Sequence, residues 1–139
     1  MAQRIETRGR ARALQALYAW DVRRDIGLTR AAQLVWDDLS VPPEERAFAE
    51  ALINLLATDM AGLDAALGEV TTRWRLDRLG AIERCVLRLG AAELAQGGTP
   101  AKVVIQECVK LAERYGTARS AGFVNGVLDA HARRMGALA

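Results

Sequence analysis

Histidine, serine, cysteine and lysine are all scarce in this 139-residue chain. His131 is the only histidine, Ser40 and Ser120 the only serines, Cys85 and Cys108 the only cysteines, and 17 of the 19 basic residues are arginine. One imidazole and two serine hydroxyls leave little material for a nucleophile–base pair or a histidine-based metal site. The cysteines lack the Cys-x-x-Cys spacing, which excludes a zinc ribbon and a disulfide scaffold and fits a reducing compartment. No apolar run approaches the roughly 18 residues of a bilayer span. The N-terminus is arginine-rich and lacks the apolar stretch of a signal peptide. Gly97-Gly98 is not followed by the Gly-Lys-Ser/Thr of a phosphate-binding loop. Strand signals are missing too: Val103-Val104-Ile105 is the only run of β-branched aliphatic residues, and its flanks read as helix. The expectation is a cytoplasmic protein without metal, cofactor or catalytic residue.

Apolar residues make up 51% of the chain, enough for a sizeable core, and they recur at helical spacing. Ala13, Ala16, Leu17 and Trp20 mark one face of a helix over about residues 4–24. A second runs from Leu28 to Leu39, after Gly27. Ser40-Val41-Pro42-Pro43 forces a break, because the residue before a proline avoids the α region. A third helix starts near Pro43, with Glu44 and Glu45 at the positive end of its dipole, and a further segment runs from about Leu63 to Trp74. Between Leu79 and Leu94 there are two apolar stripes, Ile82, Cys85, Val86 and Leu89 on one side and Leu87, Gly90, Ala91 and Leu94 on the other. A helix apolar on two sides is packed from two sides, which places this one at the centre. Gly97-Gly98 ends it, Thr99-Pro100 reads as N-cap and first helical residue, and Gly116 stops the next helix. Thr117 or Ser120 caps the last, which carries Phe123, Val124, Val127 and Leu128. The fold class is therefore all-α: a compact bundle of about seven helices, with residues 1–139 forming one domain. Cys85 and Cys108 fall on apolar stripes as small core residues, and His131 follows Val127 and Leu128 as a partly buried structural histidine. The adjacent carboxylates Asp37-Asp38 and Glu44-Glu45 point about 100° apart on a helix and do not converge on one atom.

Charge is unevenly placed. Residues 1–24 hold Arg4, Arg8, Arg10, Arg12, Arg23 and Arg24 against Glu6 and Asp21, a surplus of four, so the remainder carries −2 of the net +2. Arg8 and Arg12 share a helix face, whereas Arg10 points away and is placed to grip the other side of a phosphate strand. Guanidinium groups bind phosphate bidentately, and several together give a salt-dependent affinity for nucleic acid.

Arg8-Gly-Arg-Ala-Arg-Ala-Leu-Gln-Ala-Leu-Tyr-Ala-Trp20 resembles the basic opening of NusB-type transcription antitermination proteins. Ile82-Glu-Arg-Cys-Val-Leu-Arg-Leu89, Pro100-Ala-Lys-Val-Val-Ile-Gln-Glu107, Leu111-Ala and Phe123-Val-Asn-Gly-Val-Leu-Asp129 are similar to that family's motifs in order and spacing. The resemblance implies two small packed helical subdomains and a non-enzymatic function. It implies binding of the boxA element of ribosomal RNA leader transcripts, together with the ribosomal small-subunit protein acting as NusE. Other antitermination factors and RNA polymerase complete that assembly. By position it assigns Arg8, Arg10, Lys102, Phe123 and Asn125 to RNA, and Tyr18 and Glu83 to the protein partner. Arg12 joins the RNA set from its face, and Arg119 from its place in the last helix's first turn, where the family is often acidic. The chain departs from the family at Thr7 and Gly9, which interrupt the arginine motif, at Gln106 in place of asparagine, and at Ala92 in place of an aromatic. Gly126, inside a helix, points to close helix contact. The competing readings are a helical protein–protein scaffold without RNA binding and the recognition domain of a ribosomal RNA methyltransferase. The second would need a cofactor-binding βαβ unit, which is not found before Ala139.

Overall fold

The computed structural model describes residues 2–71 and 76–139, and these are almost wholly helical. Six α-helices follow in order: α1 (Ala2–Arg23), α2 (Leu28–Asp38), α3 (Pro43–Gly68), α4 (Ala81–Gln96), α5 (Ala101–Tyr115) and α6 (Ala118–Arg134), with a 3-10 turn at Leu76–Arg78 before α4. The helix expected from Pro43 and the segment expected from about Leu63 both lie within α3, which is two helical segments joined across a kink at Asp59, whose φ of −139° and ψ of 39° leave the helical region. Divided at that kink, the described residues hold the expected number of about seven helical segments. The Asp59 carboxylate lies over Gly62, where a Cβ would come within 2.5 Å of Oδ1. The end of the expected segment, at Trp74, lies outside the described residues.

Helices α1, α2 and α3 pack on one another, as do α4, α5 and α6, and the two groups join where α1 and α3 meet α4. One continuous apolar core runs through both. The central place of α4 agrees with its two-sided pattern: every residue from Cys85 to Leu94 is buried. Gly90 lets the C-terminal group close around it, since a Cβ there would sit 2.7 Å from Leu128 Cδ1 and 3.1 Å from Cys108 Sγ. An 18-residue stretch of α3 is apolar enough on average to cross a bilayer, but Leu52, Ile53, Leu56, Leu63 and Leu67 of this helix lie in the shared core.

Helix ends follow local chemistry. Gly97 and Gly98, at φ of 75° and 88°, adopt the left-handed region that stops α4. Thr117 and Ser120 form a reciprocal capping box at the start of α6. At α5 the expected cap is displaced by one residue. Pro100 occupies the N-cap position with extended backbone, so Thr99 lies outside the helix.

A network of charges ties the two groups together. Asp21 on α1 accepts hydrogen bonds from Arg84 (2.6 and 3.1 Å) and Arg88 (3.2 Å) of α4 and from Arg24 (3.1 Å). Burial opposes the Asp21 charge, but these guanidinium groups outweigh it and hold the carboxyl below its ordinary range. Arg88 also pairs with Asp64 of α3 at 2.9 and 3.0 Å.

Candidate nucleic-acid interface

The N-terminal arginines divide sharply by face. Arg8 is exposed over 60% of its side chain, and its nearest carboxylate, Glu45, is 3.7 Å away. Arg12 is partly covered and donates from Nε to Glu45 at 3.1 Å. Arg10 turns inward and is only 2% exposed. Its Nε and Nη2 donate to the two oxygens of Glu93 at 2.8 and 2.6 Å, and Nη1 donates to Glu107 at 2.9 Å. Its guanidinium also lies over the Phe48 ring, 5.2 Å from the centroid. Burial works against this charge, yet the Glu93 hydrogen bond and the Glu93, Glu107 and Glu6 charges together raise the Arg10 pKa above its ordinary value.

This geometry corrects the reading of Arg10 as a phosphate ligand. Its donors are committed to buried carboxylates on α4 and α5, so it fixes α1 in place and leaves the surface to Arg8 and Arg12. The residues interrupting the arginine motif serve the same contact. Thr7 Oγ1 donates to Glu107. Gly9 admits Phe48, whose Cδ1 would lie 2.7 Å from a Cβ at that position.

Outside the Arg10 contact, Arg8 and Arg12 face a cleft of about 480 Å³ between α1, the start of α3 and the second half of α5. Its far wall carries Lys110, Arg114 and Tyr115, with Leu111 and Ala11 below. Lys110 is 73% exposed and meets Glu107 only at 3.5 Å. Arg114 lies over the Tyr115 ring, 5.2 Å from its centroid. Lys110, Arg114 and Tyr115 were not singled out from sequence, although a signal exists. Lys102, Gln106, Lys110 and Arg114 are spaced by four and all exposed, forming one ridge along α5, while Arg4, Arg8 and Arg12 form another along α1.

A second cleft, of about 420 Å³, opens where the starts of α4 and α6 meet, and Glu83, Arg119, Ser120, Phe123 and Arg78 line it. Three residues expected at two different interfaces are thus brought together. Arg119 is exposed and has no carboxylate partner among the described residues, and Phe123 is half-buried against the core. Glu83 Oε1 accepts a hydrogen bond from Ser120 Oγ at 2.7 Å, bracing the capping box of α6 from α4. Glu83 therefore has a structural duty besides any contact with a partner. Tyr18 stands apart on α1, 40% exposed, with the 58% exposed Val22 one turn further on. Lys102 and Asn125 are exposed and line neither cleft.

The described residues hold no cluster of three His, Cys, Asp or Glu side chains suited to a metal. Burial pushes the Cys85 and Cys108 thiols up to about 12, so neither is a thiolate near neutrality.

Comparison with known proteins agrees with this architecture. The family model described as the NusB family matches residues 7–133. Proteins named transcription antitermination protein NusB from Anaeromyxobacter dehalogenans and Sorangium cellulosum are 44% and 40% identical, over 88% and 92% of this chain and 87% and 91% of theirs. The fold superposes on T. maritima NusB with a TM-score of 0.85 at 31% identity, covering 92% of this chain and 90% of that one. It also superposes on a chain from the crystal structure of antitermination factors NusB and NusE in complex with dsRNA, with a TM-score of 0.85 at 27% identity over 94% and 98% of the two chains. Sequence motifs, helix order and central α4 all converge on one assignment: the chain belongs to the NusB family.

Proposed function

We propose that this chain is a transcription antitermination factor that binds boxA-type single-stranded RNA together with the ribosomal small-subunit protein acting as NusE. The complex promotes processive elongation by RNA polymerase in the cytoplasm, with other antitermination factors. The role is binding, not catalysis. The observation that carries this reading is the cationic cleft between α1 and α5, where Arg8 and Arg12 face Lys110 and Arg114. Phosphate backbones are held by several such groups acting together. Similarity to a chain of the complex of NusB and NusE with dsRNA supports RNA and NusE as the two kinds of partner; the single-stranded, boxA-type preference is what the titration below tests.

Within that reading Arg8, Arg12 and Lys102 contact the RNA backbone, and Arg119, Phe123 and Asn125 extend the path onto α6. Tyr18 and Val22, both exposed on α1, and separately Glu83 form parts of the protein contact. The experiment is a titration of boxA-like and scrambled RNA, with and without the ribosomal partner. The expected result is preference for boxA-like RNA, falling steeply with salt and strengthened by the partner. Partner binding with no affinity for either RNA would favour the scaffold reading.

A further inference from the structure

We propose that the cleft between α1 and α5 holds one nucleotide with its base drawn out of the stack. The phosphate lies between Arg8 and Lys110, and the base lies against the Arg114–Tyr115 pair. This inference rests on the RNA reading and adds a specificity-determining site to it.

Three features of the cleft converge. Its lining brings five cationic side chains, Arg10 included, against two carboxylates. Both carboxylates are engaged: Glu45 by Arg12 and Arg8, and Glu107 by Arg10, Thr7 and Lys110. The Lys110 contact is the loose one, long and largely in water, so the ammonium can turn to a phosphate at small cost.

The second feature is planar. Arg114 lies over the Tyr115 ring at 5.2 Å from its centroid, and unpaired bases stack on either kind of surface. Lys110 and Arg114 are one helical turn apart on α5, so a phosphate donor and a stacking surface stand about 6 Å apart along the axis. The third feature is size and depth. At about 480 Å³, with Leu111 and Ala11 as an apolar floor, the cleft is in the range of pockets that enclose small molecules. A paired base presents only its edge to such a recess, whereas a flipped base enters it face-on. The site therefore selects single strands.

The test uses a boxA-like RNA scanned with an abasic nucleotide at each position in turn, together with its duplex form. Each is titrated against the wild-type protein and against Tyr115→Leu, Arg114→Gln and Lys110→Ala. Leucine keeps apolar volume at a half-buried position, and far-UV circular dichroism confirms that each variant is folded. The expected result is one position where base removal weakens wild-type binding about tenfold or more, with that sensitivity lost in Tyr115→Leu and reduced in Arg114→Gln. Lys110→Ala should weaken all RNAs by a similar factor while keeping the abasic profile. An abasic profile unchanged in Tyr115→Leu, or duplex bound as tightly as single strand, overturns the base site and leaves the RNA reading standing. Absence of wild-type binding to any of these RNAs overturns the RNA reading itself.

Discussion

Arg8 and Arg10 are two residues apart and do opposite work. Replacing Arg10 by alanine leaves Glu93 and Glu107 buried without their shared cation. Breaking a buried pair from one side costs about 3–5 kcal/mol, so Arg10→Ala should lower the urea midpoint strongly. Arg8→Ala should change stability by less than about 0.5 kcal/mol, weaken all RNAs alike and reduce the log–log salt slope by about 0.7. Comparable unfolding midpoints for the two variants would refute the division. That a basic motif occupies this helix was legible in the sequence; which arginine turns inward was not. The deciding partners lie 83 and 97 residues further along the chain, on helices that only the fold brings to α1. Glu83 teaches the same lesson. Its place in a family motif suggested a protein contact, while its hydrogen bond to Ser120 is formed across 37 residues. Glu83→Ala should therefore cost about 1 kcal/mol of stability through the freed Ser120 hydroxyl, and Glu83→Gln, which keeps an acceptor, less. Equal stability of wild type and both variants, measured by urea unfolding, would remove that structural duty.

At the scale of helices, boundaries were largely written in glycines, and packing was not. Gly97 and Gly116 end α4 and α5 where expected, because a residue without Cβ relieves the chain at the point where it must leave the helix. The expected division of α3 into two segments is met at the Asp59 kink, although neither proline nor glycine marks that position in the sequence. At Gly126 the expectation fails. Close helix contact was expected there, yet nothing comes within 4 Å of a Cβ built on it, and the residue is exposed. The tight approach belongs to Gly90, in the middle of α4. Gly126→Ala should accordingly stabilise the protein by up to about 1 kcal/mol through helix propensity alone. Gly90→Ala must displace Leu128 and should destabilise it by about 1–3 kcal/mol. Thermal melts of the two variants measure both signs at once. A Gly126→Ala protein that binds RNA more weakly while melting higher would mean that a ligand approaches the α6 backbone closely at this point.

For the molecule as a whole, stability and RNA binding are separable by pH. His131 is the only histidine, and histidine is the side chain whose ordinary pKa falls between pH 5 and 8. It is buried on α6, its Nδ1 has no hydrogen-bond partner, and burial lowers its pKa from the ordinary 6.5. The unfolded chain therefore takes up a proton as pH falls through about 6.5, while the folded protein still refuses it. Over that interval the unfolded state binds more protons, so stability declines as pH falls, with a slope of at most about 1.4 kcal/mol per pH unit for one group. The slope ends once pH falls below the depressed folded value. Asp21 acts further down the scale. Its carboxyl is held below 3.8 when folded, so its contribution is intact above that value and is lost only in stronger acid. The cationic residues lining the α1–α5 cleft are arginines and one lysine, and the cleft contains no histidine. Between pH 7.5 and 5.5 the urea midpoint should therefore fall while the affinity of the folded protein for RNA stays flat. His131→Gln, which cannot titrate, should abolish most of the stability slope and leave RNA binding unaltered. An undiminished slope in that variant would place the responsible proton elsewhere, and a parallel fall in RNA affinity would tie the binding surface to the same buried group.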